Sequence, residues 1–152
     1  MARTIVLRKL AAQARTRDEL AKALAARQVP GDVADGVLDR MEAVGLVDDA
    51  TFARDWVASR QQRRHLSRSA LRRELQNKGV ERELVETAVG AVDGDDELTA
   101  ARQLAERKLR SMSGLPREVQ YRRLAGALAR RGFGPGVTGP VLSSVLTTGS
   151  ED

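Results

Sequence analysis

Leu20, Leu24, Arg27, Val29, Val33, Val37, Leu38 and Met41 recur 51 residues later as Leu71, Leu75, Lys78, Val80, Leu84, Ala88, Val89 and Val92. They recur again 53 residues beyond that as Leu124, Leu128, Arg131, Phe133, Val137, Val141, Leu142 and Val145. The three sets superpose without a gap, apolar on apolar and cation on cation, which marks a tandem repeat of roughly fifty residues. Within each set the spacing is that of one amphipathic helix followed by a second. Units this small bury too little alone and must cover their apolar faces against neighbours. Aromatic residues make up only 3% of the chain, so the core must be built from Leu, Val and Ala.

The punctuation agrees with helices. Thr16-Arg17-Asp18-Glu19 is a capping box, in which the Thr oxygen takes an orphan amide and the Glu reaches back to the cap's own N–H. Val29-Pro30 stops that helix, Asp32 is expected to cap the next, and Gly45 to end it. Ser67 opens a helix that Gly79 closes, and Pro116, read as a first-turn residue, opens one that Gly132 closes. Ahead of each pair runs a leading helix: Ile5 to Ala14, Phe52 to Arg63, Leu98 to Arg110. Sustained period-two alternation is absent. The expected fold is all-α, three tandem three-helix repeats at 1–47, 48–94 and 95–147 in an elongated, curved array, with 148–152 a disordered tail. Gly139-Pro140 is the weak point, because an interior proline costs about 3 kcal/mol. The last helix is therefore expected to fray or to begin at Pro140.

Charge is distributed in bands. Residues 1–50 hold eight basic and eight acidic side chains, 54–82 hold nine and three, and 102–131 hold nine and two, while 83–101 hold six acids and no base. Two cationic bands flanking an acidic one point to a polyanionic partner. The candidate contact residues are Arg60, Arg63, Arg64, Arg68, Arg72, Arg73 and Lys78 in the first band, and Arg107, Lys108, Arg110, Arg122, Arg123, Arg130 and Arg131 in the second. Arg27, Lys78 and Arg131 occupy equivalent last-turn positions, where a cation also stabilises the negative end of a helix.

Catalytic constellations are hard to find. Asp48-Asp49 and Asp95-Asp96 sit where helices start, and carboxylates there accept from backbone amides rather than flank a substrate bond. His65 is the one histidine and there is no cysteine, so neither a metal set nor a disulfide can be assembled around them. GFGPGVTG, 132–139, has glycines but lacks the Lys-Ser/Thr ending of a phosphate loop and a strand before it. No segment approaches the eighteen or so apolar residues of a membrane span. The chain is expected to be a soluble, cytoplasmic monomer, not an enzyme, with no cofactor and no membrane contact.

Which polyanion is only partly readable. Phe52, Trp56, Tyr121 and Phe133 are the aromatic residues, and three of them fall at core positions, which leaves little for base stacking. Backbone-directed, sequence-tolerant and salt-sensitive contact with nucleic acid is the expectation. A helix-turn-helix reader is the alternative, since three-helix units are its architecture.

GLVDDATFARDWVASR (45–60), SRSALRRELQNKGV (67–80), ERKLR (106–110) and LARRGF (128–133) together resemble the RecX family of bacterial regulatory proteins. The likeness runs from about Arg3 to Leu146. It implies three tandem three-helix repeats that modulate the RecA recombinase. On that resemblance the partners are the RecA filament and single-stranded DNA, with double-stranded DNA as a second acceptor. The protein would lie in the filament groove and inhibit ATPase, co-protease and strand-exchange activities without catalytic residues of its own.

Overall fold

The computed structural model describes residues 1–92 and 94–149, and every regular element among them is a helix. In chain order these are α1 (Ala2–Ala12), α2 (Arg17–Ala26), α3 (Gly31–Ala43), α4 (Asp49–Arg64), α5 (Arg68–Asn77), α6 (Arg82–Gly90), α7 (Gly94–Arg110), α8 (Arg117–Arg130) and α9 (Pro135–Gly149). None of them is long and apolar enough to cross a membrane. The tail expected at 148–152 lies, from residue 150 on, outside the described residues. Packing divides the chain into two units, Met1–Trp56 with Glu74–Ala88, and Val57–Arg73 with Val89–Asp152.

In the first unit α1, α2 and α3 pack on one another around Val6, Leu20, Leu24, Val37, Leu38, Met41 and Val47. The capping box forms: Thr16 Oγ1 accepts from the Glu19 N–H and Glu19 Oε1 accepts from the Thr16 N–H, both at 3.1 Å. The Thr16 hydroxyl then donates to the Lys78 carbonyl at 2.7 Å, just before Gly79 turns the chain at φ +78°. The start of α2 is thus tied to the end of α5. Lys78 Nζ closes the joint, 3.3 Å from Glu19 Oε2 and over the Trp56 ring, 4.6 Å from its centroid.

The second unit repeats this joint with different side chains. Ser67 Oγ accepts from the Ala70 N–H, and the Ser67 N–H donates to the Arg131 carbonyl, both at 3.1 Å. Gly132 follows at φ +89°, so close to Ser67 Oγ and Ala70 that a Cβ would overlap them. Around it α7, α8 and α9 enclose Leu104, Leu124, Leu128, Phe133, Val141, Leu142 and Val145. Ala100, Ala101 and Ala105 on α7 are short enough to let the other two helices approach closely.

Some local expectations are corrected. Pro30, not Asp32, is the N-cap of α3, and Asp32 lies in the first turn, where its charge still suits the helix dipole. Pro116 likewise caps α8 from outside. α9 begins at Pro135, a position that needs no N–H, and Pro140 lies inside it. The lost hydrogen bond is offset by burial of Val141, Leu142, Val145 and Leu146, each worth roughly 1.5–3 kcal/mol. Val33, in register with Leu84 and Val137, is 46% exposed and faces solvent instead of the core.

Candidate functional site

Cations in this chain collect at helix C-termini, where they face unsatisfied carbonyls. α4 ends in Arg63 and Arg64, α7 carries Arg107, Lys108 and Arg110 in its last turn, and Arg131 is the C-cap of α8. In the second unit these three ends meet. Arg63, Arg64, His65, Leu104, Arg107, Lys108, Ser111 and Arg131 line one cleft of about 450 Å³. Lys108 and Ser111 also line a neighbouring hollow with Arg122, Arg123 and Arg130, so the two share a wall. Among the described residues no carboxylate lines either one. Three helix ends bring roughly −0.5 charge each, which leaves a net of roughly +3.5 from the five cations of the first cleft.

Two features fix the cleft's shape. Arg131 Nη1 donates to the Arg64 carbonyl at 2.8 Å, closing the end of α4 and holding the guanidinium at the cleft wall. His65 adopts φ +51°, the left-handed turn that ends α4 where glycine would be usual. Burial, together with the nearby Arg107 and Arg131 charges, holds its imidazole below the ordinary histidine value, against a hydrogen bond with Gln103 that works the other way.

The remaining candidates line neither hollow. Arg60 and Arg72 are half-buried on α4 and α5, while Arg73 and Arg110 are exposed. Arg68 is turned inward: its backbone N–H and its Nε both donate to Glu97 Oε2 at 2.9 Å. Lys78 belongs to the first unit and is held by Glu19 and the Trp56 face. Sequence reasoning read His65 as a solvated loop side chain or part of the basic band, and missed Ser111. It also missed Glu97, a buried acid whose only clue was its place just ahead of the leading helix read at Leu98.

Of the paired acids, Asp48 and Asp49 accept from helix-start amides. Asp48 accepts from the Thr51 N–H and hydroxyl, at 3.1 and 2.9 Å, which holds its carboxylate below the usual range. Asp49 reaches back to the Arg17 N–H at 2.9 Å, the first amide of α2. Burial raises its pKa, partly opposed by that same bond. In the second unit the acid that takes the first amide of α5 is Glu97, not Asp95 or Asp96.

Family models for RecX match the chain three times, the first three-helix domain over 2–41, the second over 48–89 and the third over 95–142. The chain belongs to the RecX family. Regulatory protein RecX of Streptomyces coelicolor is 47% identical over 151 residues, covering 99% of this chain and 80% of the relative. That of Thermobifida fusca is 47% identical over 136 residues, covering 90% and 74%. Among solved structures, RecX from Lactobacillus salivarius superposes with a TM-score of 0.84 at 17% identity, over 95% of this chain and 94% of that one. A second crystal structure of a regulatory protein RecX gives 0.82 at 21% identity, over 92% and 70%. The two structural likenesses establish the RecX fold, and the curated relatives carry the family assignment.

Proposed function

We propose that this RecX-family chain is a regulator of the RecA recombinase, which binds in the groove of the RecA–DNA filament and restrains its ATPase, co-protease and strand-exchange activities. The observation that carries the reading is the cationic cleft of the second unit, which no carboxylate among the described residues lines. Its charges come from three helices, and the Arg131 guanidinium is held by the Arg64 carbonyl before any partner arrives, which lowers the ordering needed on binding. Contact is with phosphates rather than bases: Phe52 and Phe133 are buried, Trp56 is covered by Lys78, and Tyr121 alone is exposed. The cleft set, Arg63, Arg64, Arg107, Lys108, Arg122, Arg123, Arg130 and Arg131, is the proposed polyanion-facing surface. Arg60, Arg72, Arg73 and Arg110 then serve contacts with the protein part of the filament. The chain acts as a cytoplasmic monomer, without cofactor or catalysis.

The test is RecA ATPase on single-stranded DNA with increasing protein. Inhibition that approaches completion near stoichiometric levels is expected, and none at those levels overturns the reading. The same cleft also supports autonomous, sequence-tolerant DNA binding. That reading requires association with an oligonucleotide in the absence of RecA, with log K falling against log salt by about 0.7–0.9 per phosphate. No binding at low salt removes it.

A further inference from the structure

His65 is the one titratable side chain in the cleft whose charge changes near neutral pH, and the fold places it among permanent cations. Arg63 and Arg64 precede it on α4, Arg107 and Lys108 face the same cleft from α7, and Arg131 from α8. A loop residue with no role beyond ending α4 would be served better by glycine, because φ +51° is costly for a histidine. Its imidazole is half-buried at the cleft wall, not out in solvent.

We propose that His65 is a direct ligand of a phosphate group in this cleft, and that the cleft takes up a proton when that phosphate binds. The inference rests on the polyanion reading of the cleft given above. Without that phosphate, burial and then the Arg107 and Arg131 charges hold the ring's pKa below the ordinary histidine value. A phosphate bound against the ring among Arg64, Arg107, Lys108 and Arg131 offsets part of that positive charge, and an anion within 4–6 Å raises a cation's pKa by about 1–3 units. The protonated ring then donates one more hydrogen bond to a phosphate oxygen. Binding therefore tightens as pH falls, by about tenfold for each unit of that shift. The phosphate is either a phosphodiester of a nucleic-acid strand or free inorganic phosphate, and the two share this chemistry.

Because the chain holds a single histidine, its imidazole proton resonance reports the site alone. The experiment titrates that resonance from pH 4.5 to 8.5 in the free protein, with inorganic phosphate, and with a single-stranded oligothymidylate whose binding is followed by anisotropy. The expected result is a midpoint below 6.5 in the free protein and one at least a unit higher with the oligonucleotide. A comparable rise with inorganic phosphate alone identifies the free ion as sufficient. A rise with the oligonucleotide only identifies the phosphodiester. A midpoint unmoved while the oligonucleotide is bound overturns the proposal. His65→Asn keeps a residue that tolerates the left-handed turn; it should bind more weakly than the parent and lose the strengthening towards pH 5. An unmoved midpoint with intact RecA ATPase inhibition removes the His65 subsite and leaves the regulator reading. A moved midpoint without inhibition does the reverse.

Discussion

Replacing Gly132 by alanine tests the joint that ties the start of α5 to the end of α8. Its φ of +89° costs an ordinary residue about 1–2 kcal/mol. The new Cβ also overlaps Ser67 Oγ and lies 3.0 Å from the Ala70 Cβ. Ser67 is only 1% exposed, and its Oγ cannot swing aside without releasing the Ala70 N–H, a lost cap worth about 1 kcal/mol. The sum is about 2–3 kcal/mol. Gly114 provides the comparison: φ +88°, with nothing within 4 Å of a Cβ. Gly114→Ala therefore bears the backbone cost alone, and the effect of a glycine-to-alanine change on the unfolded chain is common to both variants. With urea m-values of about 1–3 kcal/mol per molar, Gly132→Ala should lower the unfolding midpoint by about 1–2 M and Gly114→Ala by about half that. Equal shifts would refute the claim that the joint, and not merely the dihedral angle, requires glycine.

Thr16→Ala removes both the α2 cap and the hydrogen bond to the Lys78 carbonyl, so a loss of about 2–3 kcal/mol is expected by urea unfolding, largely restored in Thr16→Ser. A loss below about 0.5 kcal/mol would mean that the joint is not held by this hydroxyl. Asp49 has a raised pKa, so it favours folding below its unfolded pKa, and that contribution is lost as pH rises through the folded value. Asp49→Asn keeps an acceptor for the Arg17 N–H; it should be at least as stable as the parent at pH 7, with the advantage shrinking below about pH 4. Lower stability of this variant at pH 7 contradicts the reading. Lys108 lines both hollows, so Lys108→Ala should weaken oligonucleotide binding equally across sequences and reduce the salt slope by about 0.7–0.9; an unchanged slope places the phosphate elsewhere.

The repeat register made the helices legible because each copy obeys the same burial rule. Leu20, Leu71 and Leu124, and Leu24, Leu75 and Leu128, are all at most 1% exposed. The register failed at Val33, where a matched residue type does not guarantee a matched environment. Helix starts were legible where a side chain caps, as at Thr16 and Ser67, and were displaced where proline sets the entry geometry instead. The cleft was legible only as two bands in sequence. That Arg63 and Arg64 share a cleft with Arg107, Lys108 and Arg131, while Arg68 faces an acid, depends on which helix ends meet and on where Glu97 points. Charge counting carries no information about direction, so it could not separate Arg68 from its neighbours.

The two joints share geometry and differ in charge, and that difference bears on where the proposed polyanion surface lies. Lys78 and Arg131 are equivalent in the repeat. Lys78 is neutralised by Glu19, the third residue of α2. The third residue of α5 is Ala70, and with no carboxylate there the Ser67 N–H bonds the Arg131 carbonyl while the Arg131 guanidinium lines the cleft. This position thus separates a joint whose cation is paired with a carboxylate from one whose cation meets only a carbonyl and lines the cleft. Ala70→Glu should transfer the first arrangement to the second joint. A carboxylate in the first turn of α5 stabilises the helix end by about 0.3–1 kcal/mol, and pairing with Arg131 removes one charge from the cleft. The variant should unfold at slightly higher urea, bind oligothymidylate more weakly and show a salt slope smaller by about 0.7–0.9. Oligonucleotide affinity unchanged in a folded variant would show that Arg131 does not face the phosphate, and the contrast between the joints would then be structural alone.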